Sequence, residues 1–262
     1  MRTSPHSRKL SFAGAHGDCL AARLELPADR EPVAYALFAH CFTCGKDLPA
    51  ATRIARGLAA RGIGVLRFDF TGLGRSGGDF AHTNFSSNVE DLVLAADALR
   101  QEYRAPSLLI GHSLGGAAVL AAAERIEGVR AVATVAAPAD PGHVEHLLSE
   151  ATAEIRERGE AEVRLAGRTF LIRRQFLDDI ADQPQRDRIG GLGVPLLVLH
   201  SPQDELVDVD NARLIFEAAR HPKSFVALDG ADHLLSGRED PGWVADLLAV
   251  WVRRHLPETG AG

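Results

Sequence analysis

Ser107-Leu108-Leu109-Ile110-Gly111-His112-Ser113-Leu114-Gly115-Gly116, running on into the small-residue stretch Ala117 to Ala123, is the segment whose reading decides the fold. Ser107 to Ile110 is a short apolar run of the kind buried on both faces of a parallel sheet, and Leu114 to Ala123 reads as a helix of small residues. Between them Gly111-His112-Ser113-Leu114-Gly115 is a G-x-S-x-G pattern at a strand-to-helix turn. A sharp turn there lifts a serine Oγ clear at the carboxyl edge of the sheet, flanking glycines admit close backbone approach, and the helix N-terminus favours developing negative charge. Ser113 is the candidate nucleophile.

Working outward, the same rhythm repeats. Leu20 to Leu26 and Ala34 to Ala39 read as strands, and Pro49 to Arg61 as a helix with Ile54, Ala55, Leu58 and Ala59 on one face. Gly62 and Gly64 are expected to stop that helix before a strand at Val65 to Phe68. A helical stripe (Val89, Leu92, Val93, Ala96, Leu99) precedes the strand of the serine turn. Strands at Val129 to Val135, Pro195 to His200 and Ser224 to Leu228 follow, with helices at Asn211 to Ala219 and around Val244 to Val252. The opening residues read only as a polar start. Alternation of this length implies an α/β chain with a mainly parallel central sheet and helices on both faces.

Residues 139–190 break the rhythm, with 11 acidic and 8 basic side chains among 52 residues, every base an Arg. They read as an inserted cap, helices plus a β-hairpin turning at Ala166-Gly167, between core segments 1–138 and 191–262. Val163, Leu165, Phe170 and Ile172 are its candidate substrate-lining residues.

Composition narrows the function classes. In 262 residues, 46% hydrophobic and 24% charged is ordinary globular usage. A net charge of −6 leaves no basic surplus for nucleic acid or an anionic membrane surface, and no apolar stretch approaches the length of a membrane span. Three cysteines and no signal-like start lead to the expectation of a cytoplasmic protein.

A serine hydroxyl needs a base and an orienting carboxylate, which belong on loops after later strands. His233 follows the last strand in the turn Asp229-Gly230-Ala231-Asp232-His233, and Asp204 follows the strand ending at His200. Asp208 and Asp210 sit just before a helical stripe and read as its caps. Two backbone N–H donors for an oxyanion are expected from Leu114 and from Phe42 in the loop His40 to Asp47.

Gly72-Leu73-Gly74-Arg75-Ser76-Gly77 formally matches a dinucleotide fingerprint, but Gly78-Asp79-Phe80-Ala81 follows instead of a helix, so it reads as a turn-rich loop in which Asp69 bonds locally. Cys41-x-x-Cys44 lacks a second ligand pair for zinc and is a candidate redox pair bracketing Phe42. No cofactor and no metal is expected.

Through HCFTCGKD, DFTGLGRSGG, GHSLGG, SPQDELV and GADH, the chain resembles the α/β-hydrolase superfamily over nearly its whole length. More narrowly, HCFTC together with FDFTGLGRSGGDFAHTNFSSN resembles the hydrolase part of bacterial fusions with an OsmC-type redox domain. The resemblance implies a serine esterase of small carboxylic esters with Ser113, Asp204 and His233 as triad and a cap beside the site. It also implies an OsmC-type domain as partner in a longer chain, for which Pro257 to Gly262 suits a linker or a natural end equally. Position 41 departs from the superfamily's usual His-Gly, being Cys. The rival readings are a cinnamoyl or feruloyl esterase and a non-catalytic binding or partner module on the same fold.

Overall fold

A computed structural model describes residues 5–165 and 167–256; the tail Pro257 to Gly262 lies outside them. Eight strands form one sheet: β1 (His6–Ala13), β2 (Cys19–Leu26), β3 (Ala34–Ala39), β4 (Ile63–Phe68), β5 (Leu108–His112), β6 (Ala131–Val135), β9 (Leu196–His200) and β10 (Lys223–Ala227). Their spatial order is β1-β2-β4-β3-β5-β6-β9-β10, antiparallel from β1 to β4 and parallel from there on.

The parallel strands β3, β4, β5, β6 and β9 are buried on both faces, with side chains alternating between two cores, whereas the edge strand β10 is only partly buried. Leu108, Ile110, Leu197 and Leu199 point to one cluster, completed by α1 (Pro49–Ala60) and α8 (Asp240–Val252). Leu109, Leu196 and Val198 point to the other, with α2 (Phe85–Glu102) and α3 (Leu114–Ala122). This period of two is why these strands read as unbroken apolar runs. The chain leaves β3 toward β4 on one side and returns to β5 on the other. The loop after β3 and the turn after β5 therefore flank one crevice at the carboxyl edge, where open α/β sheets bind ligands.

Two local expectations are corrected. The polar start contains β1, pairing along all of β2, with only Leu10 and Phe12 turned inward; four exposed residues, His6 to Lys9, conceal the alternation. Gly62, at φ 96°, ends α1, whereas Gly64 lies inside β4, where a Cβ would come within 2.8 Å of the Tyr35 ring.

Residues 139–190 form a 3-10 stretch (Pro141–Leu148), α4 (Ser149–Arg158), the antiparallel pair β7 (Glu160–Leu165) and β8 (Arg168–Arg173), α5 (Arg174–Ala181) and the start of α6 (Gln185–Gly191). Gly159, left-handed at φ 89°, terminates α4 and turns the chain into β7. Val163, Phe170 and Ile172 are buried in the α2/α3 cluster, and Leu165 packs against it half-exposed.

The turn between β5 and α3 depends on bare backbone. A Cβ at Gly111 would meet the Gly115 carbonyl at 2.2 Å, and one at Gly116 would meet Ala137 Cβ at 2.4 Å. Gly116→Ala is therefore expected to cost the roughly 1–3 kcal/mol of stability typical of overpacking, read as a lower urea midpoint with the slope unchanged. An unshifted midpoint would show that the helix can move aside freely.

Candidate active site

Ser113 occupies the turn with φ 56° and ψ −129°, a backbone conformation costly for a residue with a side chain. Two hydrogen bonds hold it there: Ser113 N–H donates to Val135 O at 2.9 Å, and Gly116 N–H donates to Ser113 O at 2.7 Å. Ser113 Oγ, part-buried, lies 3.0 Å from His233 Nε2, and His233 Nδ1 lies 2.8 Å from Asp204 Oδ2. Asp204 Oδ1 accepts from the N–H groups of Leu206 and Val207, both at 2.9 Å. Burial pushes the Asp204 carboxyl up, but these bonds and His233 more than offset it, so the group stays below the usual carboxylate range. Such a chain can draw the hydroxyl proton onto an imidazole whose other N–H is held by a fixed carboxylate.

Asp208 and Asp210 stand apart from this chain. Asp208 accepts from Asp210 N–H at 2.7 Å, and Asp210, the first residue of α7 (Asp210–Ala218), pairs with Arg213; Val209 holds the cap position, not either aspartate.

Three further histidines, which the sequence reading left unassigned, sit at the carboxyl ends of parallel strands: His40 just after β3, His112 ending β5 and His200 ending β9. Each is buried and places a ring nitrogen on a loop carbonyl. His40 Nδ1 meets Cys41 O at 2.8 Å, His112 Nε2 meets His233 O at 2.7 Å, and His200 Nε2 meets Val207 O at 2.8 Å. A neutral ring donates in each case, and burial lowers all three pKa values, that of His112 to about 4 with help from neighbouring His233. The loops bearing Cys41, His233 and Val207 are thereby tied to the sheet. A histidine at the end of each of three buried strands was the available signal.

Beneath the loop of residues 40–47 lies a charged network. Lys46, 4% exposed, donates its Nζ to Asp69 Oδ2 and its N–H to Asp69 Oδ1, both at 2.6 Å, while Arg75 N–H reaches Asp69 Oδ2 at 2.9 Å. Asp69 thus bonds both within its own loop and across to the loop after β3. Gly74 leaves the room for it, since a Cβ there would lie 2.3 Å from the carboxylate. Arg67 donates to Lys46 O and pairs with buried Glu25 at 2.8 Å.

Phe42 stacks on Phe176 of α5 at 5.2 Å and contacts Phe80 at 5.7 Å; Phe80 in turn meets Phe170 at 5.0 Å. Neither Phe42 N–H nor Leu114 N–H donates to an acceptor among the described residues. Cys41 and Cys44 are joined in a disulfide with Cα atoms 5.4 Å apart, and Cys19 is free and exposed. Position 41 does not need glycine, because the positive φ of this loop falls on Thr43, at 61°.

Two hollows flank the site, one on the side of Leu114 and one on the side of His233. A narrow cavity of about 10 Å³ borders Phe42, Phe70, Phe80, Phe85, Asn88 and Leu114. An open groove of about 390 Å³ runs past His233, Leu206, Leu234, Gln203 and Glu205. Among the described residues no group of three or more His, Cys, Asp or Glu is placed to hold a metal, and no helix is long and apolar enough to cross a membrane.

A doubly covered, mainly parallel sheet with a strained serine after its central strand defines an α/β-hydrolase. The family model described as serine aminopeptidase, S33, matches residues 45–166, a span that includes Ser113 and stops before Asp204 and His233. The crystal structure of the esterase domain of a Rhodothermus marinus protein is 49% identical, with a TM-score of 0.79, over 96% of this chain and 100% of its own. A monoacylglycerol lipase of Mycolicibacterium smegmatis is 26% identical across 94% of this chain and 97% of its own. Est1E from Butyrivibrio proteoclasticus, solved with ferulic acid bound, shares the fold at 19% identity and a TM-score of 0.75 over 93% and 98% of the two chains. The chain belongs to the α/β-hydrolase family of esterases and lipases.

The buried histidines set a pH dependence of stability. His112 ionises near 4 when folded and near 6.5 in the unfolded chain, so below pH ~6.5 the unfolded chain takes up the proton first. Its contribution is intact above that pH and is lost as pH falls toward 4, amounting to about 3 kcal/mol at the acid end. Urea unfolding at steps from pH 7 to 4 is expected to show this decline, with a shallower slope in His112→Gln. Equal slopes in the two proteins would refute the assignment to His112.

Proposed function

We propose that this chain is a serine hydrolase that cleaves small carboxylic esters through an acyl-enzyme. The observation that carries the reading is the unbroken hydrogen-bond chain from Ser113 Oγ through His233 to Asp204, built on a serine held at positive φ. His233 Nε2 takes the Ser113 proton as Oγ attacks the ester carbonyl, and Asp204 holds the imidazole with its Nδ1–H inward and stabilises the charge that forms. The N–H groups of Leu114 and Phe42 receive the oxyanion. His233 then passes its proton to the departing alcohol oxygen, which leaves, and next deprotonates the water that releases the carboxylic acid and restores Ser113.

This proton transfer divides the site. The leaving alcohol must lie against His233, so the open groove beside Leu206 and Leu234 is the alcohol side. The acyl group points away from His233, toward the cavity bordered by the two oxyanion donors. Its narrowness supports short acyl groups over long chains or a feruloyl ring. Residues 139–190 act as the cap, with Phe176 bracing Phe42 and Phe170 bracing Phe80.

Ser113→Ala is expected to cost at least about 10⁴-fold in ester turnover, and Asp204→Asn about 10⁴-fold. The check is hydrolysis of p-nitrophenyl acetate, butyrate and decanoate beside methyl ferulate, with fluorophosphonate labelling located by mass spectrometry. Label on Ser113 with turnover of short esters supports the reading. A folded, unlabelled protein with no turnover would leave a binding module, and preference for methyl ferulate would favour the aryl esterase.

Phe170→Ala removes the ring behind Phe80 and is expected to raise kcat/KM for decanoate relative to acetate several-fold, since an apolar contact of about one methylene is worth ~1–3 kcal/mol of discrimination. An unchanged chain-length profile would separate the hairpin from substrate choice.

A further inference from the structure

Asn88 lies in the first turns of α2, where the helix start is already capped. Ser87 N–H donates to the Asn84 side chain at 2.7 Å, and Asn84 N–H donates to Ser87 Oγ at 2.9 Å. Capping therefore makes no use of the Asn88 amide. The residue is only 8% exposed and borders the narrow cavity together with Phe42, Phe70, Phe80, Phe85 and Leu114. Its backbone N–H is satisfied by Asn84 O at 3.1 Å, whereas its amide makes no hydrogen bond among the described residues and keeps some accessible surface.

An amide carries one acceptor oxygen and two donor hydrogens, and one that reaches an accessible cavity takes its partner from whatever enters there. Its helical neighbours Phe85, Val89 and Leu92 are apolar and buried, and the buried Asp91 is already engaged by Ala15 N–H and by Thr71. A leucine would suit packing at this position better than asparagine does. The position thus forgoes packing for a polar group on a cavity next to the oxyanion donors, whose lining is apolar apart from Asn88 and the buried His40.

We propose that Asn88 is a specificity-determining residue, whose amide hydrogen-bonds a hydroxyl or keto oxygen carried on a short acyl group. The inference rests on the ester-hydrolase reading for which side of the site is the acyl side, and it goes beyond that reading by naming the acyl class. The amide can donate to a keto oxygen and can either donate to or accept from a hydroxyl, so both belong to one ligand chemistry. A site built to pair with a substrate oxygen discriminates against the analogue lacking it, because its own polar group is then left unpaired.

The test compares matched p-nitrophenyl esters, butyrate against 3-hydroxybutyrate and pentanoate against 4-oxopentanoate, in wild type, Asn88→Leu and Asn88→Ala. Thermal melting establishes that each protein is folded, and the second variant serves where the first fails to fold. Taking each ratio of kcat/KM relative to the variant cancels the intrinsic reactivity of the esters. Wild type is expected to favour the oxygen-bearing member of at least one pair by about tenfold more than either variant does, the effect of one hydrogen bond. Ratios that are the same in all three proteins would overturn the proposal.

A second arm does not depend on turnover. Saturation-transfer NMR on Ser113→Ala protein, with butyrate and 3-hydroxybutyrate in competition, is expected to show preference for the hydroxy acid, lost when Asn88→Leu is added. Equal competition in both proteins would likewise overturn it. Absence of ester turnover in wild type, with the preference for the hydroxy acid retained, would count against the hydrolase reading and leave the binding role of Asn88 standing.

Discussion

Everything at the carboxyl edge depends on one residue holding a backbone shape that its own side chain disfavours. A φ of 56° at Ser113 costs on the order of 1–3 kcal/mol, and it persists only because the surroundings leave the chain no other course. The glycines provide that constraint. A Cβ at Gly115 would come within 2.5 Å of the carbonyls of Ala39 and His40, so bare backbone lets α3 start directly against the end of β3. The same approach brings Leu114 beside the loop carrying Phe42. Strain at the serine and the proximity of the two candidate oxyanion donors are thus consequences of a single close contact between a helix start and a strand end.

The loop facing Ser113 is held by charge instead. Lys46, Asp69, Arg67 and Glu25 form a linked set of buried ionic contacts extending from the loop after β3 across β4 to β2. Burying ions is unfavourable unless each is paired and hydrogen-bonded, and breaking one partner leaves the other uncompensated. Such a network therefore tolerates few arrangements of the loop between Lys46 and β3. Added to it are the disulfide at Cys41–Cys44 and the His40 bond to Cys41 O, so that Phe42 is fixed from both sides.

What the sequence disclosed follows from how local each signal is. The G-x-S-x-G turn at Ser113 was legible because strand, turn and helix lie within a few residues, and the loop positions of Asp204 and His233 were legible because each follows a short apolar strand. Asp69 was readable only as a local turn former, since its bond to Lys46 spans 23 residues. The first strand escaped notice because four exposed residues mask its alternation. Asn88 was hidden on a helix face that is mostly apolar, and only the cavity it shares with Phe42 and Phe80 gives its amide a setting. The histidines ending the strands were visible as residues but not as ties, because their acceptors come from loops that the topology brings near; His112 and His233 O are 121 residues apart.

The separation of the three linked side chains also bears on when during synthesis they can meet. His233 reaches Ser113 across 120 residues and Asp204 across 29, so the serine is made long before its hydrogen-bond partner. The last helix, α8, packs on α1 and closes the cluster beneath β9, which puts the two ends of the chain's core in contact. Contacts of such long range carry a high loop-closure cost and form late in folding. A nascent chain that ends before β10 lacks His233, the histidine that meets Ser113 Oγ in the fold. The topology thereby withholds the Ser113–His233 hydrogen bond until the chain has been made at least as far as residue 233.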